Sequence, residues 1–194
     1  MKFAAGVGIG LTVGVCVGWL LSQSGGRSIP LPTPVTEVST SPPVSDVPPS
    51  SRWSMSRKTS ALTDQESIFA SIESVPYEGR YGKQKAVLTV RCFEAEPGVV
   101  WSWREAIFSN NGVAAMQLRL DAGEVAWIRP RAADSRDAAF FNGKEAVALI
   151  KRMLEADRMV AMYMPALDNS REVIFDLAGL DAAVEEIQAA CPWD

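Results

Sequence analysis

The chain has 194 residues, 47% of them hydrophobic and 22% charged, and this composition supports one hydrophobic core of ordinary size rather than two. Acidic residues outnumber basic ones by 23 to 19, and the net charge of −4 disfavours a nucleic-acid-binding protein, which needs a basic surface. The chain contains no histidine, which excludes Ser-His-Asp and Cys-His nucleophiles and the HExxH zinc site.

Residues 1–27 are predicted to form a membrane segment. No charged residue occurs between positions 3 and 21, and a helix of that length, at about 1.5 Å per residue, approaches the ~30 Å hydrocarbon core of a bilayer. We expect a signal-anchor: a single transmembrane helix in the inner membrane that leaves the C-terminal domain in the periplasm. A cleaved signal peptide is the alternative, because Ser22 and Ser24 offer a signal peptidase the small residues that it reads.

Four glycines in this span recur at every fourth residue and therefore share one stripe of the predicted helix. Small residues on a stripe let two membrane helices approach closely, so the pattern indicates a homo-oligomer formed through the transmembrane helix. The general abundance of glycine in such segments explains the pattern equally well. The four residues are Gly6, Gly10, Gly14 and Gly18.

Residues 28–50 are predicted to be a linker that cannot form a compact fold. They hold seven of the twelve prolines of the chain among serine, threonine and valine. Such a segment favours polyproline II, at about 3.1 Å per residue, and serves as a spacer between membrane and domain. A docking site for a partner protein is the alternative use of such prolines.

Residues 51–194 are predicted to form the folded domain, which begins with strands. Alternating apolar residues and short β-branched runs indicate a mostly antiparallel sheet. A hairpin is expected where residues 118–120 and 125–128 are joined through residues 121–123, with Gly123 at the position of positive φ. The predicted strands cover residues 53–57, 68–72, 86–93, 99–108, 114–120, 124–129, 158–164 and 172–177.

Two helices complete the domain. Asn142 stands three residues before Glu145, the spacing of a capping box, and it begins a helix whose expected core face is Val147, Ile150 and Leu154, with Ala146, Leu149 and Met153 on the adjoining flank. A closing helix over residues 180–190 places Leu180, Val184, Ile187 and Cys191 on one side. The order of strands, helix, strand pair and helix predicts the α+β class.

Cys92 and Cys191 are the two cysteines of the folded domain, one at the end of a predicted strand and the other at the end of the last helix. A disulfide between them would close a loop of about 100 residues and would persist only in an oxidising compartment. Two separate buried thiols are the alternative. Two cysteines without histidine cannot complete a structural zinc site, and no residue pattern indicates a metal or a cofactor.

Trp101, Trp103 and Glu105 share one face of their predicted strand, so an aromatic shelf beside a carboxylate is conceivable, although core packing explains such tryptophans better. The acidic pairs Glu94 with Glu96 and Asp134 with Asp137 fall in turn-like stretches, where solvated loops explain them better than paired-carboxylate catalysis. The methionines at 153, 159, 162 and 164 fit core packing better than a binding groove. We therefore expect a protein that is not an enzyme.

A cluster of arginines at positions 129, 131 and 136 suggests a binding site for an anionic group. Asp134 and Asp137 are close enough in sequence to neutralise the positive charge of this cluster.

Several segments in order resemble the VasI (TagO) family, which is associated with type VI secretion and has relatives in phage and prophage proteins. The resemblance covers residues 51–193. It rests on Trp53 and on residues 60–64 (SALTD), 87–92 (VLTVRC), 116–123 (MQLRLDAG), 174–181 (IFDLAGLD) and 190–193 (ACPW).

The resemblance implies an accessory domain of the cell envelope, with no catalytic residue to carry over and with Cys92 and Cys191 at positions that the family pairs. The N-terminal span and proline-rich linker differ from the simple signal peptide that is usual in the family. We therefore expect a membrane-tethered periplasmic module that binds an envelope protein or a cell-wall component in type VI secretion. The alternatives are a phage-encoded exclusion factor and an enzyme that acts on peptidoglycan through acids such as Glu94 or Asp134.

Overall fold

The computed structural model describes residues 52–193, which belong to one compact unit. The predicted membrane segment, the glycine stripe at residues 6, 10, 14 and 18, and the linker 28–50 lie outside the described residues. No helix in the described part of the chain is long and apolar enough to cross a membrane.

The described residues form fourteen strands and two helices. In chain order they are β1 (Ser54–Thr59), β2 (Glu66–Glu73), β3 (Tyr77–Gly79), β4 (Gly82–Gln84), β5 (Val87–Phe93), β6 (Glu96–Ser102), β7 (Ser109–Asn110), β8 (Val113–Ala114), β9 (Met116–Leu120), β10 (Ala126–Ile128), β11 (Arg131–Ala132), β12 (Ala138–Asn142), α1 (Gly143–Met153), β13 (Arg158–Tyr163), β14 (Arg171–Asp176) and α2 (Leu180–Ala190).

Most of these strands belong to two antiparallel sheets. The larger sheet has eight strands in the order β1-β2-β5-β6-β12-β11-β8-β7, and the smaller has four in the order β10-β9-β13-β14. A separate hairpin pairs β3 with β4. Every strand pairing in the described residues is antiparallel. The predicted α+β class with a mostly antiparallel sheet and two helices is confirmed.

The core lies between the larger sheet, the two helices and the inner face of the smaller sheet. Alternate residues of each long strand are buried, as period-two strands require. On β2 these are Ile68, Ala70 and Ile72, and on β5 they include Leu88 and Val90. Helix α1 packs against β6 and β12, and α2 packs against β2 and β5. Both helices therefore cover one face of the larger sheet.

Helix α1 begins where the sequence predicted, but its buried face is different. The buried residues are Ala146, Leu149, Ile150 and Met153, whereas Leu154 lies beyond the helix and is exposed. The predicted flank is thus the core face. The expected capping bond is also absent: Asn142 occupies the N-cap position, but its amide oxygen faces the Arg91 side chain at 3.4 Å instead of a helix N–H group.

The predicted hairpin between β9 and β10 is present, with Leu118 opposite Ala126. The expected role of Gly123 is wrong, because Asp121 is the turn residue with positive φ, at 48°. The Asp121 carboxylate accepts hydrogen bonds from the backbone N–H groups of Asp157 and Arg158, and this contact joins the turn to the start of β13. A short polar side chain with such local partners tolerates the left-handed conformation.

A disulfide joins Cys92 on β5 to Cys191 at the end of α2, as the sequence predicted. The two Cα atoms are 5.7 Å apart, and both side chains are buried. Leu180, Val184 and Ile187 lie on the same buried side of α2. The bridge therefore fixes the closing helix to the centre of the larger sheet.

Candidate functional site

Glu105 is a buried carboxylate just beyond the end of β6. Every second side chain from Trp101 onward is buried, although β6 itself ends at Ser102. These side chains are Trp101, Trp103 and Glu105, and Glu105 has only 6% of its surface exposed. The Trp103 ring stacks on the ring of Tyr163 from β13, with centroids 4.5 Å apart. The strand predicted over residues 99–108 ends at Ser102, so Trp103 and Glu105 lie beyond it, but the predicted core packing of the tryptophans is confirmed.

A phenol from β13 donates to the Glu105 carboxylate. The Tyr163 hydroxyl lies 2.5 Å from Glu105 Oε1, and the Gln84 amide nitrogen lies 3.4 Å from the same oxygen. The Tyr77 hydroxyl lies 3.1 Å from the Tyr163 hydroxyl. Because Tyr163 gives its only proton to Glu105, Tyr77 is the donor in the second contact. The chain Tyr77–Tyr163–Glu105 joins the β3–β4 hairpin to the smaller sheet.

Arg171, the first residue of β14, compensates the charge of Glu105. Its Nε atom lies 3.3 Å from Glu105 Oε1, and its side chain is only 19% exposed. The same guanidinium donates to the Glu78 carbonyl at 3.0 Å and to the Asp168 carboxylate. A buried charge is tolerated when it is paired and hydrogen-bonded in this way.

The two tyrosines of the cluster are held in their protonated form. Burial raises the pKa of Tyr163, and its hydrogen bonds to Glu105 and Tyr77 raise the pKa further. Burial also raises the pKa of Tyr77. Because both phenols keep their protons at physiological pH, they act as hydrogen-bond donors and not as bases.

A cavity of about 180 Å³ adjoins this cluster and has Glu105 in its lining. Its other walls are Arg80 and Tyr81 from the β3–β4 turn, Ala106, and residues 165–168 of the loop after β13. Tyr81 and Leu167 are largely exposed at its rim. The second oxygen of Glu105, Oε2, is buried and has no hydrogen-bond partner among the described residues. Glu105 thus places a buried carboxylate oxygen without a partner next to the cavity.

The other candidate acids do not line this cavity. Glu94 and Glu96 lie exposed at the turn between β5 and β6, where Glu94 has positive φ. Asp134 and Asp137 lie exposed between β11 and β12, and Asp137 accepts a hydrogen bond from Ser135. Their placement agrees with the interpretation as solvated loops.

Of the predicted arginine cluster, Arg131 stacks on Phe140 with its guanidinium carbon 5.7 Å from the ring centre. Met153 and Met159 are fully buried, whereas Met164 is 47% exposed, so that core packing accounts for only part of the methionine set. Residues 52–193 contain no group of three or more cysteine, aspartate or glutamate side chains placed to hold a metal ion.

Sequence reasoning singled out Glu105 but missed its partners Gln84, Tyr77, Tyr163 and Arg171. Tyr77 and Gln84 lie opposite each other in the β3–β4 hairpin, whereas Tyr163 and Arg171 come from the pair β13 and β14, which is distant in sequence both from that hairpin and from Glu105. The available signal was weak: Tyr163 alternates with buried residues of β13, and Arg171 follows a turn.

No model of a known protein family matches the chain, and no curated protein matches it either. Among solved structures, the fold is similar to that of invasion associated protein B from Bartonella henselae, with a TM-score of 0.45 and 11% sequence identity. The similarity covers 71% of this chain and 92% of that protein. A likeness of this degree carries no statement about function. The resemblance to the VasI (TagO) family stays a prediction.

Proposed function

We propose that residues 52–193 are a binding module of the cell envelope, without catalytic activity, which residues 3–21 hold at the inner membrane on its periplasmic side. The disulfide supports this location, because such bonds persist in oxidising compartments. The resemblance to the VasI (TagO) family supports an accessory role in type VI secretion.

The observation that carries the binding role is the incomplete pairing of Glu105 beside a cavity. A buried carboxylate oxygen without a partner costs stability, and such groups are rare in folded proteins unless they serve a purpose. Here Oε1 contacts Tyr163 and Arg171 whereas Oε2 has no partner, and Glu105 lines the cavity, so a ligand bound there would contact Oε2 once the carboxylate turns toward it. An amide or ammonium group of a cell-wall peptide or of an envelope protein supplies the missing donor.

The protonated state of the tyrosines supports binding over catalysis at this site. A general base must accept a proton from a substrate. Tyr77 and Tyr163 are already protonated, because burial raises the pKa of both phenols. Arg171 pairs with Glu105, with its Nε atom 3.3 Å from Oε1. The cluster thus offers a ligand hydrogen-bonding groups of fixed protonation in the two tyrosines.

Binding is tested with the full-length protein in detergent micelles and with soluble fragments of enzymatically digested cell wall as the probe. We expect saturable binding by calorimetry, weakened about tenfold by the rim variant Tyr81→Ala combined with Leu167→Ala. Leu62→Ala is the matched control, because Leu62 is 92% exposed and does not line the cavity. Equal affinity of the wild type and the rim variant would contradict a role for this cavity.

The secretion role is tested in cells. In a strain with an active type VI system, deletion of this protein is expected to reduce secretion, and the wild type but not the rim variant should restore it. Unchanged secretion after deletion would reject the accessory role. A prophage gene neighbourhood would then favour the exclusion-factor alternative.

A further inference from the structure

A groove of about 520 Å³ lies along helix α1, on a flank next to the buried face of that helix. Four helix residues line it at positions i, i+3, i+4 and i+7, so they share one side of the helix. Val147 and Ala148 are in the middle of this side, and Lys144 and Lys151 are at its ends, about 10 Å apart along the helix axis. The volume of the groove lies within the range of small-molecule sites, about 300–1,000 Å³.

Pro97 from β6 and Trp193, which follows α2, also line the groove. The disulfide determines both positions, because Pro97 lies opposite Cys92 in the ladder of β5 and β6, and Trp193 comes two residues after Cys191. The Gln188 side chain donates a hydrogen bond to the Trp193 carbonyl at 3.0 Å. The shape of the groove therefore depends on the bond between the two cysteines.

The groove combines an apolar surface with cationic donors. Pro97, Val147, Ala148 and Trp193 supply the apolar surface, and the charged ends of the two lysines can only donate hydrogen bonds. None of the described residues that line the groove has a carboxylate, an amide or a hydroxyl in its side chain. A bound peptide would find no side-chain acceptor here for its N–H groups, whereas a hydrocarbon chain that ends in a carboxylate needs none.

Acidic residues near the groove leave an excess of positive charge in it. Glu96 reaches the rim, where its Oε1 atom would lie 3.3 Å from a Cβ atom at Gly143. Its charge also acts on Arg91: burial lowers the pKa of Arg91, and the negative charge of Glu96 opposes that shift. Glu145 lines a different cavity, on another flank of α1. The charged residues that line the groove itself are lysines, and they favour an anionic ligand.

We propose that this groove binds a fatty acid. The hydrocarbon chain lies along Val147 and Ala148 and against the Trp193 ring, and the carboxylate contacts the ammonium group of Lys144 or Lys151. Burial of the chain supplies most of the affinity, and the lysines select the anionic head group. The methylene groups of the lysines add to the apolar surface, because such side chains bury their stems while the charged end stays in water. This site is separate from the cavity at Glu105, since the two share no lining residue.

The test is photo-crosslinking of the full-length protein in phosphatidylcholine nanodiscs. The probe is dodecanoic acid with a diazirine near the end of its chain, and the labelled peptides are identified by mass spectrometry. We expect labelling of the peptide that contains Val147 and Ala148 and of the peptide that contains Trp193. An excess of unlabelled dodecanoate should abolish this labelling. The same excess of dodecyltrimethylammonium, which has the same chain and the opposite charge, should leave it in place.

Two variants test the groove itself, with labelling of the Trp193 peptide as the readout. Ala148→Phe fills the groove and should reduce this labelling about fivefold or more. Ala182→Phe is the matched control, because Ala182 is an exposed alanine of α2 that does not line the groove. Lys144→Gln should reduce the labelling about threefold, whereas Lys83→Gln, at an exposed lysine of β4, should not change it. An unchanged melting temperature verifies the fold of each variant.

Equal competition by dodecyltrimethylammonium and dodecanoate would overturn the proposal, because it would show that the groove does not distinguish the charge of the head group. Labelling confined to the predicted membrane segment would also overturn it. So would labelling of the Trp193 peptide that persists unchanged in Ala148→Phe, because the probe would then reach this peptide from outside the groove.

Discussion

Removal of the disulfide gives the clearest test of how this domain is stabilised. The bond between Cys92 and Cys191 spans a sequence separation of 99. For a loop of that size the chain-entropy relation assigns about 4.7 kcal/mol of stability at 25 °C. A domain of about 140 residues has an unfolding entropy near 0.3 kcal/mol/K, so the loss corresponds to about 16 °C in Tm.

The assay is thermal unfolding of the full-length double variant Cys92→Ala with Cys191→Ala. Alanine avoids burying a hydroxyl group without a partner, and the double change leaves no free thiol in the domain. Cys16→Ala is the matched control and should leave Tm unchanged. Wild-type protein unfolded in the presence of a reductant should show the same decrease as the double variant. A decrease of less than about 3 °C would refute the reasoning, because it would mean that the loop is already constrained without the bond.

Three further predictions concern the polar contacts. Glu105→Gln should lower the free energy of unfolding in urea by about 2 kcal/mol, because Arg171 loses its buried carboxylate partner and keeps only the more exposed Asp168, and replacing Arg171 by methionine as well should restore part of it. Because the pKa of Tyr163 is raised in the folded state, its contribution to stability is fully present below about pH 10 and is lost at higher pH, where the phenol of the unfolded chain ionises first. The urea midpoint of the wild type should therefore fall above this pH, and a fall that is equally steep in Tyr163→Phe would contradict the prediction. Asp121→Ala should cost about 2 kcal/mol through its two backbone N–H partners and its positive φ, whereas Glu124→Ala in the same hairpin should cost less than ~0.5 kcal/mol.

Local periodicity was sufficient to predict much of the fold. The alternation of Ile68, Ala70 and Ile72 identifies both the strand β2 and its buried face, because one side of that strand meets the core. The helical spacing of Leu180, Val184 and Ile187 identifies α2 in the same way. For α1 the apolar stripe was wide enough to allow two faces, and only the packing on β6 and β12 selects the one with Leu149 and Met153.

Long-range polar contacts were beyond the sequence. Glu105 was recognisable as a carboxylate on the face of two tryptophans, but its burial depends on Tyr163 and Arg171, which lie 58 and more residues away. The hairpin turn shows a related difficulty: glycine is the usual residue at positive φ, and Asp121 replaces it because it gains two backbone donors from the start of β13. Such partners become neighbours only in the folded chain.

The proposed location outside the cytoplasm depends most directly on the state of the two domain cysteines in living cells. Intact cells are treated with an alkylating reagent under denaturing, non-reducing conditions, and peptides that contain Cys92 and Cys191 are identified by mass spectrometry. We expect one linked peptide pair and no alkylated form of either cysteine. Recovery of both peptides as alkylated, unlinked thiols would contradict export to an oxidising compartment.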